Sequence, residues 1–66
     1  MREYVVGYYN NSKDAFTILA TMDSKLVGMF VRDSYNGCYE RNGMSTRLVL
    51  LHRNEVPDKY KFSEGL

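Results

Sequence analysis

The chain has one cysteine, one proline, one histidine and no tryptophan, and each scarcity closes an option. Cys38 has no intrachain partner, so the disulfide staple of small secreted domains is missing and a reducing compartment, the cytoplasm, is expected. Cys38 and His52 fall short of the four ligands of a structural zinc site, so neither a metal nor a cofactor is expected. Long apolar runs are also missing. The longest is Leu48 to Leu51, against the ~20 residues that a membrane-crossing helix needs, and Met1-Arg2-Glu3 does not read as a secretion signal. No membrane partner is expected. Neither sign of charge dominates: nine Lys and Arg oppose eight Asp and Glu, leaving a net +1. Long nucleic acid is disfavoured, because binding to it draws on a basic surface. Phosphate-loop, HExxH and GxSxG motifs are absent as well.

What is present is enough to fold. Of the 66 residues, 44% are hydrophobic and 14% aromatic, which is ordinary for a globular protein. A chain this short buries only about 60% of its unfolded surface. One small domain spanning residues 1–66 is expected, with a thin core and a frayed tail at 63–66.

Short apolar segments alternate with turn signals. Residues 2–9 are rich in β-formers and end at Asn10-Asn11-Ser12, which reads as a strand and a loop. Residues 14–22 read two ways. Ala15, Ile18, Leu19 and Met22 keep helical spacing after a Ser12 cap, yet Phe16, Ile18, Ala20 and Met22 also alternate with two threonines, which weighs toward a strand. Residues 26–32 predict a strand in which Gly28 marks a bulge or a close backbone contact. Two Asn-Gly dipeptides, at 36–37 and 42–43, predict two reversals with a short strand over 38–41 between them. A type I′ turn at Asn42-Gly43 then leads into a strand over 44–52, and residues 57–62 add an edge strand or one helical turn. The predicted fold class is all-β, a small antiparallel meander or barrel of about five short strands; the alternative is α+β with one helix near residues 12–22.

Three of these strands carry apolar side chains on both faces, most clearly Leu48 to Leu51, and such strands need cover on both sides. With at most one helix predicted, a second subunit is the simplest cover, so a homodimer or higher oligomer is expected. Its interface is assigned to Val27, Met29, Val31, Val49 and Leu51.

Cys38 and His52 fall on opposite faces of the predicted hairpin, so no catalytic residue is assigned and no enzyme is expected. What remains is a Tyr/Arg cluster. Tyrosine faces stack on bases and arginine forks match phosphates, so Tyr35, Tyr39, Arg41 and Arg47 are the candidate ligand-binding residues. The expected function is that of a small accessory protein acting by binding, as a homo-oligomer that captures a small anionic, nucleotide-type ligand. The alternative is a protein-binding inhibitor or adaptor of the phage type, engaging a host protein through a sheet edge or a Tyr-rich patch.

Overall fold

In the computed structural model, which describes residues 3–64, the first β-rich run forms strand β1 (Tyr4–Asn10). A tight turn follows in which Asp14 takes a left-handed backbone conformation (φ 48°), one of the few residue types that tolerates it. The ambiguous segment is strand β2 (Ala15–Met22). Its alternation and its threonines outweigh the helical spacing, and it pairs antiparallel with β1. Leu19 is an extra residue in that pairing, because Val6 faces Ala20 and Gly7 faces Ile18. The bulge sits where a Cβ on Gly7 would lie 1.9 Å from the Thr17 carbonyl oxygen.

The next element corrects the sequence reading. Lys25–Arg41 is a 17-residue helix, α1, where two strands and a turn were predicted. Ser24 caps it, its hydroxyl oxygen accepting from the Val27 N–H at 3.3 Å. Gly28, Val31, Tyr35 and Tyr39 recur at helical spacing along the sheet-facing side. Gly28 lets the helix sit close, since a Cβ there would approach Leu50 Cδ1 to 2.5 Å. The Asn42-Gly43 pair does reverse the chain, but as a helix terminus and not as a type I′ hairpin. Gly43 adopts φ 73°, its N–H donates to the Glu40 carbonyl at 3.1 Å, and Met44 N–H donates to the Tyr39 carbonyl at 2.9 Å. That double bond pattern is a Schellman motif. The other Asn-Gly pair lies inside the helix.

Beyond α1 come β3 (Val49–His52), a 3-10 turn at Arg53–Glu55 and β4 (Lys61–Glu64). The sheet order is β3-β1-β2-β4. β1 is antiparallel to β2 and β3, whereas β4 runs parallel to β2. The class is therefore α+β, with four strands in a mixed sheet and one helix. The all-β antiparallel meander of five strands is overturned, and so is the alternative's placing of the helix near residues 12–22. Of the tail predicted to fray, Ser63 and Glu64 belong to β4, and residues 65–66 lie outside the described residues.

The expectation that strands apolar on both faces need two covers is answered within the chain. On one face Val6, Met22 and Leu48 pack with Val31, Tyr35, Tyr39 and Leu50 beneath α1. On the other, Val5, Phe16 and Ile18 pack with Val49, Leu51, Val56 and Tyr60. The second cover is the segment between β3 and β4, a strap that leaves one edge of the sheet and rejoins it at the opposite edge. The Tyr60 hydroxyl donates to Asn11 Oδ1 at 2.7 Å and ties the strap to the β1–β2 turn. Among the described residues no helix is long and apolar enough to cross a membrane.

Candidate functional site

Side chains that reach solvent along α1 are unusually apolar over its first two turns. Leu26 is 63% exposed, Val27 48%, Met29 41% and Phe30 67%. The opposite side of the same turns faces the sheet through buried Gly28 and half-buried Val31, so this stretch is apolar nearly all round. A surface helix with its core face satisfied carries polar residues outward. Contiguous exposed apolar surface of more than a few hundred Å² is the kind of surface at which interaction sites are found on monomeric proteins.

The patch continues into a groove. Ala20 of β2 and Phe30, Val31, Ser34, Tyr35 and Cys38 of α1 line an open depression of about 580 Å³. Its walls follow from spacing: residues 30, 34 and 38, and likewise 31 and 35, fall on one side of a helix. Cys38 is a free, exposed thiol whose sulfur accepts from Asn42 Nδ2 at 3.5 Å.

A second, polar cleft of about 570 Å³ lies on the other flank of α1, against the outer edge of β3, and is lined by Arg32, Asp33, Asn36, Arg47 and Leu48 to Leu51. One of its two arginines is already paired, because Arg32 Nη2 stands 3.0 Å from Asp33 Oδ1. Asn36 is occupied too: its Nδ2 donates to the Leu48 carbonyl at 3.2 Å and its Oδ1 accepts from the Leu48 N–H at 2.8 Å.

The four predicted ligand residues are dispersed. Tyr35 and Tyr39, one helical turn apart, meet edge to face with centroids at 6.4 Å, and both pack partly buried against the sheet. Arg41 is exposed at the end of α1, pointing away from Tyr39, since residues two apart do not share a helix face. Arg47 is exposed on the loop before β3. In the predicted interface, Val27 and Met29 are exposed, Val31 is half-buried, and Val49 and Leu51 pack against the strap side of the sheet. Leu26 and Phe30 fall within the predicted strand over 26–32, and the sequence assigns them no site role. The i, i+4 spacing of Leu26 and Phe30 after a Ser24 cap was the available signal.

No nucleophile and base are brought together among the described residues. Cys38 is bonded by Asn42, whereas His52 accepts from the Asn54 N–H at Nδ1 (3.2 Å) and places Nε2 3.4 Å from Glu3. Nor do three His, Cys, Asp or Glu side chains there assemble into a possible metal site. Comparison with known proteins supplies no relative: no family model, no curated protein and no solved structure matches this chain.

Proposed function

We propose that this chain acts by binding another protein, as a non-enzymatic adaptor or inhibitor in the cytoplasm. Its working surface is the apolar face of α1 with the adjoining groove, and the partner element is an amphipathic helix. The observation that carries this reading is the concentration of exposed Leu26, Val27, Met29 and Phe30 on two consecutive turns of a helix whose other side is already packed. A helix seated in an apolar groove is a common mode of recognition, and its anchors are residues such as these. The free, exposed Cys38 fits a reducing compartment.

The anionic-ligand reading has less behind it. Tyr35 and Tyr39 give part of their ring surface to the core, and Arg41 and Arg47 stand on separate segments. Arg41 also lies at the C-terminal end of α1, where the helix dipole repels a phosphate.

Two measurements test the proposal. A thermal-shift panel of mono-, di- and cyclic nucleotides is expected to leave the midpoint unchanged; a ligand at 100 times its Kd would add about 2.7 kcal/mol of stability. Leu26→Glu is expected to abolish biological activity while leaving the circular dichroism spectrum intact. Retained activity in that variant, or a nucleotide that stabilises wild type but not Arg41→Ala, would return the function to the Tyr/Arg residues.

A further inference from the structure

We infer that Asn42 is a site of spontaneous deamidation, and that the fold protects the chain's other Asn-Gly pair, Asn36-Gly37, from the same reaction. The inference is independent of what binds the apolar face of α1.

The chemistry begins in the sequence. A glycine after asparagine leaves the attacking peptide nitrogen unshielded by a side chain, so Asn36-Gly37 and Asn42-Gly43 carry the same intrinsic reactivity. The Gly43 nitrogen, its proton lost to base, attacks Asn42 Cγ; an N–Cγ bond forms, the Cγ–Nδ2 bond breaks, and Nδ2 departs as ammonia after taking up a proton. Water then opens the succinimide ring at either carbonyl and leaves aspartate or isoaspartate at position 42. One water is consumed and one ammonia released, and nothing is oxidised or reduced.

Ring closure turns the asparagine's ψ away from the helical region, so the rate depends on which bonds must open first. Asn36 sits mid-helix, where the Gly37 N–H is an interior rung of α1. Its side chain is gripped as well, by the Leu48 carbonyl at 3.2 Å and the Leu48 N–H at 2.8 Å. Leu48 is buried in the core beneath α1, so freeing Asn36 means parting the helix from the sheet. Asn42 is different: it is the C-cap of α1, at ψ 9°, and is exposed together with Gly43. The bonds that hold it are local. Asn42 Nδ2 donates to the Cys38 carbonyl at 2.8 Å and to Cys38 Sγ at 3.5 Å, and the Gly43 N–H donates to the Glu40 carbonyl at 3.1 Å. Fraying of the last turn releases them together. The product cannot restore the cap. A carboxylate has no proton to donate to the Cys38 carbonyl, and its charge falls beside exposed Glu40 at the negative end of the α1 dipole. The net charge of +1 falls by one.

The test is incubation of the full chain in mildly alkaline buffer, which favours the deprotonated nitrogen, followed by peptide mapping with fragment-ion assignment. Cleavage after Arg41 places the two Asn-Gly pairs on separate peptides. In the folded chain Asn42 is expected to convert at least about tenfold faster than Asn36, a ratio set by the difference in opening free energy. In the chain unfolded with guanidinium the two are expected to convert at similar rates, because each is followed by glycine. An acidic form should grow on isoelectric focusing at the rate of Asn42 conversion. Asn42→Gln is expected to remove that form, since glutamine must close a six-membered ring and does so far more slowly. A folded chain in which Asn36 converts as fast as Asn42 overturns the inference. So does one in which Asn42 stays intact while the unfolded chain converts, or an acidic form undiminished in Asn42→Gln.

Discussion

The Asn36 side chain holds both backbone groups of Leu48, accepting from its N–H at 2.8 Å and donating to its carbonyl at 3.2 Å, as a neighbouring β-strand would. Leu48 lies one residue before β3, an edge strand. The orientation of the edge follows from the ladder. Arg53 N–H donates to the Glu3 carbonyl at 2.8 Å, so alternation turns the backbone groups of Leu50 and Leu48 outward. At the far end of the strand the His52 N–H donates to Glu55 Oε1 at 2.8 Å. Side chains therefore close this edge at both ends and leave Leu50 as its open rung, a defence against pairing with another sheet.

Asn36→Ala should cost about 2 kcal/mol in urea denaturation, since it strands a partly buried N–H and carbonyl together.

Gly7→Ala should be among the most damaging single-methyl additions. The new Cβ would sit 1.9 Å from the Thr17 carbonyl oxygen, in paired backbone that cannot turn aside as a flexible side chain can. A loss of about 3 kcal/mol or more is expected, read as a lower denaturation midpoint or as failure to accumulate folded protein. A midpoint within experimental error of wild type would mean that the bulge relaxes freely.

Gly43→Ala tests the helix terminus. At φ 73° an L side chain costs about 1 kcal/mol, and asparagine, which tolerates this region, should cost less. Equal stability of the two variants would remove the Schellman assignment.

Tyr60→Phe deletes one exposed hydrogen bond to Asn11 and keeps the ring packed, tilted, against Tyr9, at 4.7 Å between centroids. A loss of about 1 kcal/mol or less is expected, whereas Tyr60→Ala also removes part of the second cover and should cost clearly more by the same assay.

These residues also show what the sequence could reveal. β1 and β2 were legible because their alternation and β-branched content agree. The need for two covers was legible because Leu48 to Leu51 is apolar at every position. α1 was not, for a physical reason: Val27, Phe30 and Val31 are β-formers, and Asn36-Gly37 and Asn42-Gly43 carry the same hairpin signal although one pair is helix interior and the other a helix terminus. Both a type I′ turn and a Schellman motif require a left-handed glycine, so the dipeptide alone cannot separate them. The helical spacing of Gly28, Val31, Tyr35 and Tyr39 after Ser24 carried the deciding information. Losing the helix scattered the candidate site, because Tyr39 and Arg41 share a face on a strand and part company on a helix. It also hid Phe30, whose exposure depends on a packing direction that only the fold defines.

The strap between β3 and β4 should make the molecule unequally resistant to proteases. One face of the sheet is covered by α1, a continuous helix joined to strands at both ends. The other depends on residues 53–60, anchored by Val56, by Tyr60 and by the parallel pairing of β4 with β2. A single nick after Lys59, which is exposed, would leave β4 held by four residues of pairing and would free the strap to lift from Val5, Phe16 and Ile18. Limited trypsin digestion should therefore begin in this segment, and native-state hydrogen exchange should find β4 opening at lower free energy than β1, with the α1 side still closed.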